Sequence, residues 1–198
     1  MNLNLTNKVF LVTGGAKGIG AAISNTLSAE GAIVMIAGHG KEDNQKAVDE
    51  IVRAKGKAAS HTVELADVNA CKELIDFTID KYGRIDGLIN NAGVNDGVDL
   101  ENGSPELFVQ SLQKNLLHFY TLAHYALPQL KKNKGVIINI GSKVAETGQG
   151  HTSGYAASKG AVNALTREWA AELLPYSIRV NAVIPAEVWT PLYEKWIN

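Results

Sequence analysis

The chain has 198 residues, of which 45% are hydrophobic and 20% charged, and its formal net charge is −1. This composition is typical of a globular domain, and the lack of a basic excess argues against nucleic acid as the main partner. The single cysteine, Cys71, permits no internal disulfide and suits a reducing compartment, and no apolar run approaches the length of a membrane span. We therefore expect one cytoplasmic domain over residues 1–198, with no membrane partner.

Short apolar runs that stop at glycine, asparagine or proline alternate with longer amphipathic segments. The runs predict six strands, at 8–13, 32–37, 57–63, 85–90, 135–140 and 178–183. The segments between them predict helices at 19–30, 41–55, 69–82, 105–131 and 152–174. This alternation favours right-handed crossovers and a parallel sheet with helices on both faces. We expect a doubly wound α/β fold.

A glycine-rich turn separates the first predicted strand from the first predicted helix. Gly14, Gly18 and Gly20 have the spacing G-x-x-x-G-x-G, which differs from the more common G-x-G-x-x-G. Glycines at this place allow a tight turn and a close approach of the backbone to a diphosphate, which the helix N-terminus attracts. The same glycines would also suit a plain tight turn, but their place in a βαβ unit favours nucleotide binding.

Tyr155 and Lys159 are four residues apart in a predicted helix, so they project from one face. A free phenol loses its proton only near pH ~10, and a neighbouring ammonium lowers that pKa. The pair is therefore a candidate general base for an alcohol. This spacing also occurs on many helices that have no catalytic role, so the interpretation depends on the surrounding residues.

Two further polar residues have informative positions. Asn115 falls within an apolar stripe of the predicted helix 105–131, where an unpaired buried amide would cost about 1–3 kcal/mol. It therefore needs partners, either in a reaction or as a clamp between helix and strand. Ser142 follows the fifth strand, at the edge where open α/β sheets bind their ligands.

Together these motifs resemble, in order and over essentially the whole chain, the short-chain dehydrogenase/reductase family. The residues that carry the resemblance are Thr13, Gly14, Gly18, Ile19, Gly20, Asn90, Asn91, Ala92, Gly93, Asn115, Ser142, Tyr155, Lys159 and the stretch 181–190. The resemblance implies a Rossmann-type sheet with strand order 3-2-1-4-5-6. It also implies an NAD(P)-dependent oxidoreductase that acts on CH–OH groups.

The family pattern also implies four catalytic roles. Tyr155 would exchange the proton of the substrate hydroxyl, and Lys159 would hold the nicotinamide ribose and lower the pKa of the tyrosine. Ser142 would hydrogen-bond the reacting oxygen. Asn115 would support a water molecule that relays the proton.

The resemblance assigns a larger set of residues to the cofactor. They are Gly14, Lys17, Gly18, Ile19, Gly20, His39, Glu64, Leu65, Asn91, Ala92, Gly93, Tyr155, Lys159, Pro185, Val188 and Thr190. NAD-dependent members have an acidic residue where this chain has Gly38, and Lys17 occupies a place where NADP-dependent members often have a basic residue. We therefore favour NADP, assisted by His39, and leave NAD open because no arginine follows the second strand.

Loops 93–97, 146–153 and 185–190 are similar to those of bacterial L-fucose dehydrogenases within the family. Their polar side chains suit a sugar, since each sugar hydroxyl needs hydrogen-bond partners. The candidate substrate contacts are Asn95, Ser142, Gln149, Tyr155, Glu187 and Trp189. The implied reaction is oxidation of L-fucose or a similar aldose at C1. The alternatives are a steroid-like or 3-oxoacyl substrate and, less favoured, a cofactor-binding protein without turnover.

The family usually assembles through the helices predicted here at 105–131 and 152–174, which implies a homodimer or homotetramer. The histidines at 61, 118, 124 and 151 lack metal-ligand spacing, so we expect no metal and assign them packing or surface roles. Family members are usually longer, and this chain ends shortly after Thr190-Pro191-Leu192, where a substrate lid begins. We therefore expect the usual seventh strand and lid to be missing, through truncation or because the protein continues beyond residue 198.

Overall fold

A computed structural model describes residues 3–191, 193 and 194, so Leu192 and the segment 195–198 lie outside the described residues. Six parallel strands form one sheet in the order β3-β2-β1-β4-β5-β6, which confirms the predicted order. The strands are β1 Val9–Thr13, β2 Ile33–Gly38, β3 Lys57–Thr62, β4 Gly87–Asn90, β5 Val136–Ile140 and β6 Arg179–Val183.

Helices cover both faces of this sheet. Their bounds are α1 Gly18–Ala29, α2 Lys41–Arg53, α3 Val68–Tyr82, α4 Pro105–Leu112, α5 His118–Asn133, α6 Val144–Thr147 and α7 Ser153–Glu172. A π-helical turn, Gln113–Leu117, joins α4 to α5, and a 3₁₀ turn, Leu174–Tyr176, follows α7.

Successive side chains of β1 point to opposite faces of the sheet and pack in two separate apolar clusters. Phe10 and Val12 join residues of α1 and α2 on one face, whereas Leu11 joins residues of α3, α5 and α7 on the other. Both faces are therefore buried, which is why the strands are apolar runs without polar alternation.

The prediction of one long helix at 105–131 was wrong in its middle. Apolar residues at 112, 116, 119, 123 and 130 suggested a continuous α-helix, but residues 113–117 form a wider turn. Asn115 is fully buried within it, and such turns often occur at functional sites. The next helix, α5, then buries Phe119, Leu122 and Ala126.

The carboxyl ends of all six strands lie at one edge of the sheet, and the loops that follow them meet there. Parallel α/β sheets bind ligands at this edge. Within the described part of the chain, no helix is long and apolar enough to cross a membrane.

Candidate active site

A cavity of about 750 Å³ opens at the carboxyl ends of the strands. Most of the residues that the sequence analysis predicted to bind cofactor or substrate line this cavity. These are Gly14, Lys17, Gly18, Ile19, Gly20, His39, Glu64, Leu65, Asn91, Ala92, Gly93, Asn95, Ser142, Gln149, Tyr155, Lys159, Pro185, Glu187, Val188 and Thr190. Asn115 and Trp189 are not among the lining residues.

One end of the cavity is formed by the glycine turn and the start of α1. Gly14 and Gly18 have positive φ angles of 60° and 53°, which favour glycine. A Cβ on Gly20 would lie 2.0 Å from the carbonyl oxygen of Gly14, so only glycine fits between the helix and the turn. Within the described residues the first turn of α1 has no side-chain cap, and its backbone N–H groups are available to a diphosphate.

Thr13 connects this turn to the segment after β4. Its hydroxyl oxygen accepts hydrogen bonds from the backbone N–H groups of Asn91 and Ala92, at 2.9 and 3.0 Å. The Asn91 side chain donates in return to the carbonyl oxygens of Thr13 and Gly14. These bonds hold the glycine turn and the 91–92 segment, which both line the cavity, at a fixed separation.

Tyr155, Lys159 and Ser142 all line this cavity. Lys159 is almost fully buried, and its Nζ donates a 2.7 Å hydrogen bond to the carbonyl oxygen of Ile140. The same Nζ lies 5.6 Å from the centre of the Tyr155 ring. Burial lowers the pKa of Lys159 to about 8.

The phenol of Tyr155 has a shifted pKa. Burial raises its pKa above the ordinary value of 10.0, although the neighbouring Ser142 hydroxyl acts in the opposite direction. The Lys159 ammonium is bonded to the carbonyl oxygen of Ile140, and its lowering of the tyrosine pKa stays a prediction.

Asn115 lies behind the cavity wall. Its Oδ1 accepts a 2.7 Å hydrogen bond from the backbone N–H of Val94, and its Nδ2 donates to the carbonyl oxygen of Ser111 at 3.1 Å. A Cβ on Gly93 would lie 3.2 Å from that Oδ1 and 3.4 Å from Lys159 Nζ. The asparagine therefore clamps the 93–94 segment beside the lysine.

The residues nominated for a substrate are more scattered. Glu187 forms an ion pair with Lys143 across the cavity mouth, and Asn95 accepts a hydrogen bond from the N–H of Gly97 in its own loop. Trp189 is 68% exposed and packs edge-on against Tyr193, so the structure places it outside the cavity wall. Gln149 lines the opening and is exposed.

At the end of β2, Gly38 lines the cavity without a side chain, as the sequence indicated. Lys17 forms a 2.5 Å ion pair with Asp43 in the first turn of α2. Sequence reasoning missed this carboxylate because the two residues are distant along the chain.

Other lining residues were also missed. They include Val63, Val94, Lys114, Ile140, Gly141, Lys143, Val144, Thr147, Gly148, Ala186, Pro191 and Tyr193. Most of them adjoin a nominated residue, so including the sequence neighbours of each motif would have found them. Among the described residues, no group of three or more His, Cys, Asp or Glu side chains could hold a metal ion.

Comparison with known proteins identifies the family of this chain. The model of the short chain dehydrogenase family matches residues 8–198. L-fucose dehydrogenase of Rattus norvegicus is 38% identical over 191 residues, which are 96% of this chain and 69% of that protein. The 3-oxoacyl-[acyl-carrier-protein] reductase FabG of Thermotoga maritima is 36% identical over 194 residues, which are 98% of this chain and 79% of that protein.

Solved structures agree. Cj0485 dehydrogenase superposes with a TM-score of 0.93 at 41% identity, covering 100% of this chain and 75% of that one. Actinorhodin polyketide ketoreductase F189W with NADPH gives 0.91 at 31% identity, covering 96% and 74%. The NADH-dependent reductase A1-R′ gives 0.88 at 29% identity, covering 92% and 78%. The chain therefore belongs to the short-chain dehydrogenase/reductase family, is an NAD(P)-dependent oxidoreductase that acts on CH–OH groups, and is similar to L-fucose dehydrogenases.

Proposed function

We propose that the protein oxidises L-fucose or a similar aldose at C1, with Tyr155 as the acid/base. The observation that carries the proposal is the meeting of Tyr155, Ser142 and Lys159 on the wall of one cavity that continues to the uncapped start of α1. A substrate hydroxyl in this cavity would thus lie between a proton acceptor and a nucleotide.

In this mechanism each side chain has a separate task. Tyr155, as phenolate, removes the proton of the sugar hydroxyl, and Ser142 donates a hydrogen bond to the same oxygen. When bound, NAD(P) supplies the hydride acceptor. Lys159, which donates to the carbonyl oxygen of Ile140, provides the nearby positive charge that favours the phenolate. Asn115 keeps the Gly93–Val94 backbone in place beside the lysine and supports a proton-relay water.

The residues proposed to bind the cofactor would contact different parts of the nucleotide. The N–H groups at the start of α1 would hold the diphosphate, and Lys159 would hold the nicotinamide ribose. Glu64 and Leu65 line the wall for the adenine, while Pro185, Val188 and Thr190 cover the nicotinamide side.

We also propose a preference for NADP. Gly38 places no carboxylate at the end of β2, and Lys17 and His39 line the cavity beside it. Asp43 already pairs with Lys17, so the carboxylate competes with a 2′-phosphate for the ammonium. The preference therefore depends on how easily this exposed ion pair opens.

Support for a sugar comes from the polar groups at the cavity mouth and from the similarity to L-fucose dehydrogenases. Asn95, Gln149 and the Lys143–Glu187 pair present hydrogen-bonding groups there. The second candidate is a 3-oxoacyl or related ketone, which the similarity to FabG favours. Trp189 is left out of the proposed contacts because it lies outside the cavity wall.

We propose a homodimer or homotetramer built on the face of the α4–α5 segment and α7. The side chains of Leu107, Val109 and Tyr120 are 43%, 51% and 54% exposed to solvent. A second copy packed on this face would bury their apolar surface. The proposal includes a cytoplasmic location, because the buried free thiol of Cys71 suits a reducing compartment.

A substrate screen tests this function. Purified protein is given NADP or NAD with L-fucose, other aldoses, steroid alcohols and, in the reverse direction, 3-oxoacyl thioesters, and reduced nicotinamide is followed by absorbance. We expect the highest kcat/KM with L-fucose or a stereochemically similar aldose. Higher kcat/KM with a 3-oxoacyl thioester would replace the sugar with the second candidate, and cofactor binding without any turnover would contradict both.

A further inference from the structure

A polar chain runs from the surface loop 95–103 to Asn115 behind the cavity. The hydroxyl of Ser111, which is fully buried, donates a 2.8 Å hydrogen bond to Asp96 Oδ1. Asn115 Nδ2 donates to the Ser111 carbonyl oxygen at 3.1 Å and lies 3.5 Å from the Ser111 hydroxyl. One half-buried carboxylate is thereby linked through one serine to the asparagine that holds Val94.

Ser111 is also the contact point of α4 with α7. A Cβ on Gly154 would lie 2.6 Å from both Cβ and Oγ of Ser111, so glycine is needed for this close approach. The N–H of Gly154 donates to the carbonyl oxygen of Val98, and Gly154 directly precedes Tyr155. Loop, α4 and the start of α7 therefore meet at one buried hydroxyl.

A buried hydroxyl requires an acceptor, and an aliphatic side chain would fill this core position without that requirement. Here the acceptor comes from Asp96, whose loop neighbours Val94 and Asn95 line the cavity, although Asp96 itself does not. The arrangement thus couples the wall of the cavity to the helix that carries Asn115.

We propose that Asp96 and Ser111 are positioning residues, which hold Asn115 and the 93–98 segment in place relative to Tyr155. This inference rests on the proposed function for its effect on turnover. The geometric part does not, because the Val94 N–H reports directly on the Asn115 clamp.

The test uses Asp96→Ala and Ser111→Ala, with Asp96→Asn as a conservative variant that keeps an acceptor for the serine. Glu101→Ala is the matched control, since it removes an exposed carboxylate from the same loop. For each protein we would measure amide hydrogen exchange at Val94, kcat and KM for the best alcohol, and cofactor Kd.

We expect Asp96→Ala and Ser111→Ala to accelerate exchange at Val94 by about three- to tenfold, as loss of one hydrogen bond in the chain implies. We expect kcat to fall by a similar factor while cofactor Kd stays within about twofold, and Asp96→Asn to recover most of both losses. In the Asp96→Ala/Ser111→Ala double variant the effects should not add, because both changes break the same chain.

Unchanged Val94 exchange in the folded alanine variants would overturn the proposal, as would equal losses in Glu101→Ala. If the wild-type protein oxidises no alcohol, the proposed function fails, and exchange at Val94 still decides the positioning role.

Discussion

The ammonium of Lys159 donates a 2.7 Å hydrogen bond to the carbonyl oxygen of Ile140, the last residue of β5. This bond fixes α7 to the strand end that leads into Ser142, two residues further on. The three side chains of the proposed mechanism therefore share one anchor, and the two remaining N–H groups of the ammonium can donate to a cofactor ribose.

Tyr155→Phe removes only the phenolic oxygen. We expect kcat to fall by about 100-fold or more, because a positioned acid/base usually contributes this much, while cofactor Kd remains close to the wild-type value. Steady-state kinetics and fluorescence titration with reduced cofactor measure the two quantities. Wild-type turnover in this variant would remove Tyr155 from the mechanism.

Lys159→Met replaces a buried charge with an apolar side chain of similar length. The folded pKa of about 8 lies below the ordinary 10.5, so the unfolded chain binds more protons between these values and stability rises with pH across that window. We expect the variant to be inactive and more stable than wild type at pH 7, by about 1–3 kcal/mol.

Urea unfolding at pH 7 and at pH 9.5 measures this effect of Lys159→Met. The stability difference should shrink at the higher pH, where the wild-type lysine is largely neutral in the folded state. A difference that does not change with pH would show that the lysine is not responsible.

The ion pair between Lys17 and Asp43 provides a test of cofactor preference. Lys17→Met should raise KM for NADP about tenfold and leave KM for NAD within about twofold, since only the 2′-phosphate needs the charge. Asp43→Asn should have the opposite effect on NADP because it frees the ammonium. Equal effects on both cofactors would contradict the proposed NADP preference.

Glu187 and Lys143 form an exposed pair at the cavity mouth, and exposed pairs contribute little. We expect Glu187→Gln and Lys143→Met each to raise KM for the sugar about two- to fivefold, because the loops after β5 and β6 lose their link. The charge-swapped variant Lys143→Glu/Glu187→Lys separates two explanations. Recovery of KM supports a link between loops, and no recovery supports direct contact of Glu187 with the sugar.

Gly20→Ala tests the close approach at the glycine turn. Its Cβ would lie 2.0 Å from the Gly14 carbonyl oxygen, so we expect a loss of about 1–3 kcal/mol in stability together with weaker cofactor binding. Gly160→Ala in α7 is the control, because nothing lies within 4 Å of its Cβ. That change should be neutral or stabilise the protein by about 0.5–1 kcal/mol. Thermal unfolding of both variants measures the contrast.

Local patterns predicted most of the fold. In α3, helical spacing puts Cys71, Leu74, Ile75 and Thr78 on one side, and all four are buried. The parallel sheet followed from the alternation of strands and helices, and its strand order followed from the family resemblance. Helical spacing and alternation depend on neighbours in sequence, where periodicity carries information.

Features set by distant contacts could not be predicted. Asp43 lies 26 residues after Lys17, and Glu187 lies 44 residues after Lys143, so neither ion pair leaves a local signal. His118 was assigned a surface or packing role, and burial, together with the charge of Lys159, lowers the pKa of its ring to about 3. The raised pKa of Tyr155 likewise depends on burial by other segments.

The π turn at Gln113–Leu117 changes the direction in which side chains project along the continuous helical segment from α4 to α5. Each residue of an α-helix advances the chain by about 100°, so the wider turn offsets the directions in which α4 and α5 present their side chains. Ser111 can thus face the cavity loops while Phe119 and Leu122 face the sheet, although all three belong to one continuous helical path. Deleting one residue from this turn would join α4 and α5 as one regular α-helix. Either Ser111 or the pair Phe119 and Leu122 would then point away from its present contacts.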